Sequence, residues 1–314
     1  MPETAAVVDT AMGPLNAVLC TPGGTAGRTA GPARAGLVLV DGSGPATRDA
    51  WQGVPSWLAD RGIATLRHDK PGCGGSPGDW REQSFADRAA EALAALATLR
   101  KQAGVERAGL IGYSQGGWVA LLAAVNAPDQ VDHVVTLGGP FVGVEEQERT
   151  LLARVMRRTG LSEDAVEAGL AWADERAARL AAGADPALVH AEQARFAGEH
   201  WHAVVCGPPY DTPQTLAFFA RTLPFDPPSL LPFLPCPIMA FFGADDEHVP
   251  VERSLEVLGA RLPARHRGRN GIAVLPGVGH MLHPEPPRPG IALFDQLSPG
   301  FLPLLGDFLE RVAP

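Results

Sequence analysis

The sequence predicts an α/β fold, a doubly wound and mostly parallel sheet carrying an inserted helical cap. Three observations predict it. Short continuous apolar runs such as "AGLVLV" (35–40) and "PIMAFFG" (237–243) end in glycines, as strands buried on both faces do. These runs alternate with segments of helical periodicity, and parallel strands require crossovers whose helices then cover the sheet. The alternation breaks once, from about 141 to 235, where helical segments follow one another.

Taken in order, "AAVVDT" and "PLNAVLCTP" read as two short strands, and "TPGGTAGRTAGPA" reads as a loop. "AGLVLVDGSG" is a buried strand, "VPSWLAD" a helix and "GIATLRHD" a second buried strand. "SFADRAAEALAALATLRKQAG" is a long helix, opened by Ser84 as N-cap and closed by Gly104. Strand "RAGLIGYS", helix "QGGWVALLAAVNAP" and strand "VDHVVTLGG" come next. In the interruption, helices are expected at "EEQERTLLARVMRR", after Ser162, after Asp185-Pro186, and at "TPQTLAFFARTL", where Thr212 is the N-cap and Pro213 the first helical residue. Strand "PIMAFFG", helix "VERSLEVLGARL", strand "GIAVLPG" and a helix near "GFLPLLGDFLERV" then resume the pattern. The expected organisation is a core of residues 1–140 and 236–314 with a helical cap at 141–235. No internal repeat or low-complexity tract is present.

Composition narrows the function classes. With 46% hydrophobic and 19% charged residues, the chain has the balance of a soluble globular protein. A formal charge of −9, without an arginine-rich stripe, argues against nucleic acid, whose binding needs positive surface to displace phosphate counterions. The basic stretch "RLPARHRGRN" reads as a solvated loop. Lys70 and Lys101 are the only lysines, which reads as compositional bias. The start has no basic segment followed by an apolar one, and no apolar run approaches the roughly 18 residues of a membrane span. A cytoplasmic protein without membrane association is expected. Cys20, Cys73, Cys206 and Cys236 lack C-x-x-C or zinc-like spacing, so reduced thiols, no disulfide and no metal are expected.

The stretch that carries chemistry is "LIGYSQGG" (110–117). Ser114 lies where a buried strand meets a helix, at the end of a parallel sheet where ligands bind. A turn there without a gap strains the junction residue and brings its neighbours against the adjacent strand and helix, so Gly112 and Gly116 carry no side chain. The serine oxygen is left exposed at a helix start, where unpaired N–H groups favour negative charge.

In that setting G-x-S-x-G is a nucleophile elbow, and the sequence resembles the α/β-hydrolase family. The resemblance implies that Ser114 is the nucleophile and that the acid and the histidine follow it in that order. "GADDEHVP" is similar to the family's G-x-x-D-x-x-V-P and aligns the acid with Asp246, Asp245 being the alternative. "PGVGHMLHP" resembles the family's glycine-histidine turn and assigns the base to His280, with His283 as its competitor. The resemblance also implies an oxyanion hole from the backbone N–H groups of Gln115 and of Ser43, the latter in "VDGSGPATRD" between Gly42 and Gly44. Where many relatives have histidine before that glycine, this chain has Asp41.

"GSGP…RD" and "LRHDKPGCGGSPGDW" resemble a subgroup related to dienelactone hydrolases and to the catalytic domain of prolyl oligopeptidases. There Asp69 is expected to tie together a glycine-rich turn. The resemblance lies on the two sides of the interruption and does not extend into it. In the interruption, Trp172, Trp201, Phe218 and Phe219 either line an acyl pocket or pack helices together. His200 and His202 have ligand-like spacing, but no third ligand accompanies them.

The expected function is hydrolysis of a carboxylic ester or thioester through an acyl-enzyme, on a small-molecule substrate and without a cofactor. Acyl transfer or cyclisation on the same residues, a ligand-binding protein that has lost the chemistry, and a homodimer all stay open.

Overall fold

The computed structural model describes residues 3–23 and 32–313, so most of the expected glycine-rich loop lies outside the described residues. The first half of the chain forms β1 (Glu3–Thr10), β2 (Gly13–Cys20), β3 (Ala35–Val40), α1 (Val54–Ala59), β4 (Ile63–His68), α2 (Phe85–Ala103), β5 (Ala108–Tyr113), α3 (Gln115–Asn126) and β6 (Val134–Leu137). The interruption holds α4 (Val144–Arg158), α5 (Glu163–Ala181), α6 (Pro186–Glu192), α7 (His202–Val205), α8 (Pro213–Thr222) and α9 (Pro227–Leu230). Strand β7 (Ile238–Gly243), α10 (Val251–Arg261), β8 (Gly271–Leu275) and α11 (Phe301–Val312) follow.

One eight-stranded sheet runs in the order β1-β2-β4-β3-β5-β6-β7-β8. Strands β1 and β2 pair antiparallel, as do β2 and β4, and the remaining neighbours are parallel. The chain therefore moves outward from β3 to β4 and then returns to place β5 on the other side of β3. At that reversal the carboxyl ends of β3 and β5 diverge into a crevice, the place where open parallel sheets bind ligands.

Every residue of β3, β4 and β7 is buried, which is why β3 and β7 read as unbroken apolar runs. Alternate side chains still serve different layers. Val38, Val40 and Leu110 pack with Leu96, Leu99 and Leu121 of α2 and α3, whereas Leu37, Leu39 and Ile111 pack with Leu58, Phe301, Leu305 and Phe308 of α1 and α11. The edge strand β8 is half-exposed, with Ile272 and Val274 facing outward.

Local signals account for the helix ends. Ser84 Oγ accepts the Asp87 N–H at 3.2 Å while Asp87 Oδ2 accepts the Ser84 N–H at 2.8 Å, a reciprocal cap that fixes where α2 begins. Gly104 ends it in the left-handed conformation, φ 65°. Ser162 and Thr212 cap α5 and α8 in the expected way. The interruption contains two helices beyond the four expected, the single-turn α7 and α9, each too short to leave a periodic apolar pattern. Among the described residues no helix is long and apolar enough to cross a membrane, and all four cysteines are free.

Candidate active site

Ser114 occupies the one-residue junction between β5 and α3 with φ 51° and ψ −122°, a left-handed backbone rare for a residue with a side chain. Crowding imposes that turn. A methyl on Gly112 would meet Gly116 O at 2.1 Å, and one on Gly116 would meet Val40 O at 2.2 Å. Strand β3 and helix α3 thus touch backbone to backbone. Leu137 O accepts the Ser114 N–H at 2.8 Å and ties the junction to β6.

Asp246 and His280 come from the loops after β7 and β8. Asp246 is the carboxylate that meets His280, with Oδ2 2.8 Å from Nδ1, while its Oδ1 accepts the N–H groups of His248 at 2.8 Å and Val249 at 3.0 Å. Asp245 is exposed and spends its backbone on Val278 O. His283 turns its Nδ1 to Pro284 O at 2.9 Å and takes no part. With Nδ1 engaged by a carboxylate, Nε2 of His280 is the nitrogen left to accept a proton. No hydrogen bond joins it to Ser114 Oγ among the described residues, but both residues line the same cavity.

Three neighbours frame the imidazole. His248 stacks on it at 4.8 Å between ring centroids and 25° between planes, and Tyr113 lies 5.1 Å away. Gly138, φ 57°, leaves room for it, since a methyl there would lie 3.0 Å from His280 Nδ1. Glu285 Oε1 accepts the His280 backbone N–H at 2.7 Å. Burial, then the nearby His280, lowers the pKa of His248. Burial pushes the Tyr113 phenol well above its usual range, so it stays protonated. Asp246, His248 and His280 also form the one group of three metal-ligand residue types among the described residues, with ligand atoms within 4.8 Å. Within that group the Asp246 carboxylate and the His280 imidazole already bond each other.

The cavity measures about 730 Å³, large enough for an organic molecule of moderate size. Ser43, Gly44, Ser114, Gln115 and His280 form its floor, and the helices of the interruption supply apolar walls from Leu151, Leu152, Tyr210, Phe218 and Phe219. The four aromatic candidates divide. Phe218 and Phe219 reach the cavity, whereas Trp172 and Trp201 are buried against Phe196, each ring centroid 4.9 Å from it, and pack helices together. Glu148 is the lone carboxylate in the lining, and burial raises it to about 7 against the pull of Arg176.

Gln115 begins α3, where N–H groups have no intrahelical acceptor, and the Ser43 N–H has no hydrogen-bond partner among the described residues. The chain approaches closely here, since a methyl on Gly42 would lie 3.2 Å from Ser114 Cβ. Asp69 is fully buried, accepts the Arg48 N–H at 2.7 Å, pairs with the Arg48 guanidinium and fills the space over Gly74. It braces the glycine-rich turn.

Several residues escaped the sequence reading. Lys70 donates to Gly42 O and to Gly44 O, the latter at 2.6 Å, and Arg88 donates to Asp41 O at 2.6 Å and Gln115 Oε1 at 2.7 Å. Arg154 of α4 donates to Asp246 O at 3.1 Å and Val249 O at 2.9 Å, and Gln147 donates to His248 O. These contacts join segments tens of residues apart, and no local pattern marks them. The scarcity of lysine singled out Lys70 but did not suggest a role.

The α/β hydrolase family model matches residues 18–292. The chain belongs to the α/β hydrolase family. It is similar to a triacylglycerol lipase from Pseudomonas fragi, 38% identical over 73 residues, a match spanning 23% of this chain and 25% of that relative. Its fold is shared by the Pyrococcus furiosus esterase Pf2001, at 15% identity and TM-score 0.61 over 100% of this chain and 92% of the other. A proline iminopeptidase from Mycobacterium smegmatis gives 17% identity and TM-score 0.60 over 99% of both chains. The 2-hydroxy-6-oxo-6-phenylhexa-2,4-dienoate hydrolase of a Rhodococcus species gives 20% identity and TM-score 0.55 over 98% of this chain and 100% of the other. The last three carry the fold alone. Esterase, iminopeptidase and dienoate hydrolase names all occur on it, so the fold alone does not identify the bond cleaved.

Proposed function

We propose that this α/β hydrolase cleaves a carboxylic ester or thioester through an acyl-enzyme. The observation that carries the reading is the 2.8 Å contact between Asp246 Oδ2 and His280 Nδ1 on the rim of the cavity that Ser114 also lines. The carboxylate selects the tautomer whose Nε2 has a free lone pair, and it stabilises the imidazolium once that lone pair takes a proton. Ser114 Oγ attacks the substrate carbonyl carbon as His280 Nε2 removes its proton. The carbonyl electron pair moves to oxygen, where the N–H groups of Gln115 and Ser43 receive it. Collapse of the tetrahedral intermediate breaks the bond to the alcohol or thiol, which leaves with the proton from His280. Water then attacks the acyl-Ser114, with His280 again as base, and releases the acid and the free serine.

Residues 141–235 act as a cap in this reading, and their apolar side chains hold the acyl group. An ester fits better than a peptide as substrate because the chain is similar, over 73 residues, to a triacylglycerol lipase. The reaction uses no cofactor or metal, and four free thiols suit a cytoplasmic setting. The test is hydrolysis of a panel of p-nitrophenyl esters and acyl thioesters by wild type and Ser114→Ala. Loss of several orders of magnitude in rate with the fold retained supports the reading, and retained activity in the variant overturns it. The apolar cap walls also suit acyl transfer or cyclisation, which need water kept away from the acyl-enzyme. Release of the trapped acyl group by an added alcohol or amine in preference to water would favour that alternative.

A further inference from the structure

Separate from the cavity that Ser114 lines, and sharing no lining residue with it, is a small cavity of about 10 Å³ lined in part by Asp41, His68, Lys70, Arg88 and Glu91. Lys70 is 3% exposed and Arg88 6% exposed. Burying two cations is costly unless they are paired and hydrogen-bonded, and here three of their four side-chain hydrogen bonds among the described residues go to the loop after β3. The Lys70 ammonium donates to the carbonyls of Gly42 and Gly44, and the Arg88 guanidinium donates to the carbonyl of Asp41. These carbonyls are therefore drawn toward one buried charge cluster.

In a planar trans peptide the C=O and the N–H point in opposite directions. The Gly42 carbonyl and the Ser43 N–H belong to the same peptide unit. Anchoring that carbonyl on Lys70 turns the Ser43 N–H the other way, toward the cavity that Ser43 lines. The ammonium also polarises the peptide and strengthens its N–H as a donor. Arg88 does a second job. One of its amino groups holds the Asp41 carbonyl and the other holds Gln115 Oε1, so a single rigid fork spans the two segments that carry the two backbone donors.

We propose that Lys70 and Arg88 are positioning residues for the oxyanion hole: Lys70 aims the Ser43 N–H, and Arg88 sets its separation from the Gln115 N–H. The inference rests on the hydrolase reading above, and it extends that reading to a pair of side chains that never touch substrate. Asp41, raised to about 6 by burial against the pull of Lys70 and Arg88, supplies the counter-charge at neutral pH, and it opposes the burial that lowers the Lys70 ammonium below its usual range.

The experiment compares wild type with Lys70→Met, Arg88→Met, Gln115→Met and the double variant Arg88→Met/Gln115→Met. Each is assayed on p-nitrophenyl butyrate and for inhibition by a trifluoromethyl ketone, whose adduct with serine carries the oxyanion, beside the matching methyl ketone. Misplacement of a donor should lower kcat by about 10- to 100-fold with KM changed less than about threefold. Affinity for the trifluoromethyl ketone should fall by the same factor while that for the methyl ketone holds. Arg88→Met and Gln115→Met remove the two ends of one contact, so the double variant should be no worse than the worse single one.

Wild-type kcat in a folded Lys70→Met overturns the role of Lys70, and additive losses in the double variant overturn that of Arg88. Equal weakening of both ketones would also overturn the proposal, because it points to general damage to the cavity. Should Lys70→Met fail to fold, Lys70→Arg carries its test, since a guanidinium too large for the site must shift the loop and lower kcat selectively. These outcomes are independent of the hydrolase reading, which falls only if Ser114→Ala stays active.

Discussion

Glu285 accepts the backbone N–H of His280 through Oε1 at 2.7 Å, and its carboxyl group sits where a methyl on Gly279 would be, 2.2 Å from Cδ. The loop that presents the imidazole is thus clamped from outside the site. Glu285→Ala removes the acceptor and leaves space beneath Gly279, so the ring loses its register with Ser114. The expected result is a loss of kcat of about 10-fold or more, because small displacements of a reacting group are expensive. Glu285→Gln keeps an acceptor oxygen and should retain most of the activity. Equal rates for the two variants would show that the clamp has no bearing on catalysis.

Asp246→Asn separates the orienting role of this residue from its structural one. An amide oxygen can still accept the N–H groups of His248 and Val249, which hold the loop at 2.8 and 3.0 Å. It cannot supply the negative charge that stabilises the imidazolium, and its NH₂ group favours the wrong tautomer at Nδ1. Thermal stability should change little while kcat falls by about 10³- to 10⁴-fold, the scale seen when a triad loses its carboxylate. A fall of less than about tenfold would contradict the role assigned to Asp246.

Buried histidine sets the behaviour in acid. His133 is fully buried, and neither ring nitrogen has a hydrogen-bond partner among the described residues. Burial lowers its pKa to about 4. The unfolded chain takes up a proton near pH 6.5 while the folded protein resists to about pH 4, so stability present above pH 6.5 is lost across that interval as pH falls. For a shift of this size the loss is on the order of 3 kcal/mol. His133→Leu fills similar space without titrating. Denaturant unfolding between pH 7 and pH 4 should give a shallower decline for the variant than for wild type, and parallel curves would refute the assignment.

The features readable from sequence were those encoded in adjacent residues. "GYSQG" requires a tight strand-to-helix turn because the crowding that excludes side chains acts at Gly112 and Gly116 themselves. The caps at Ser84, Ser162 and Thr212 were readable for the same reason, since cap and helix are neighbours in the chain. The strand order, which sets β3 between β4 and β5, was not expressed in any local pattern and depends on how the layers pack. Helical spacing showed that Phe218, Phe219, Trp172 and Trp201 belong to packed faces, but not which face turns toward the cavity. The roles of Lys70 and Arg88 were not legible because their value lies in the carbonyls they reach, at separations of 28 and 47 residues.

The elbow stores strain, and its release can be measured. Ser114 holds φ 51° although it has a side chain, a conformation that costs about 1–3 kcal/mol and that glycine adopts freely. Ser114→Ala keeps the penalty and removes only the hydroxyl, so it is the proper reference for Ser114→Gly. Glycine relieves the strain but gives the unfolded chain more freedom, which offsets roughly 0.4–1 kcal/mol of the gain. The balance favours the folded glycine variant. Ser114→Gly should therefore resist denaturant better than Ser114→Ala, by about 1 kcal/mol, while both are inactive. If glycine proves the less stable of the two, the turn is not strained in solution, and the exposure of the serine oxygen must have another cause.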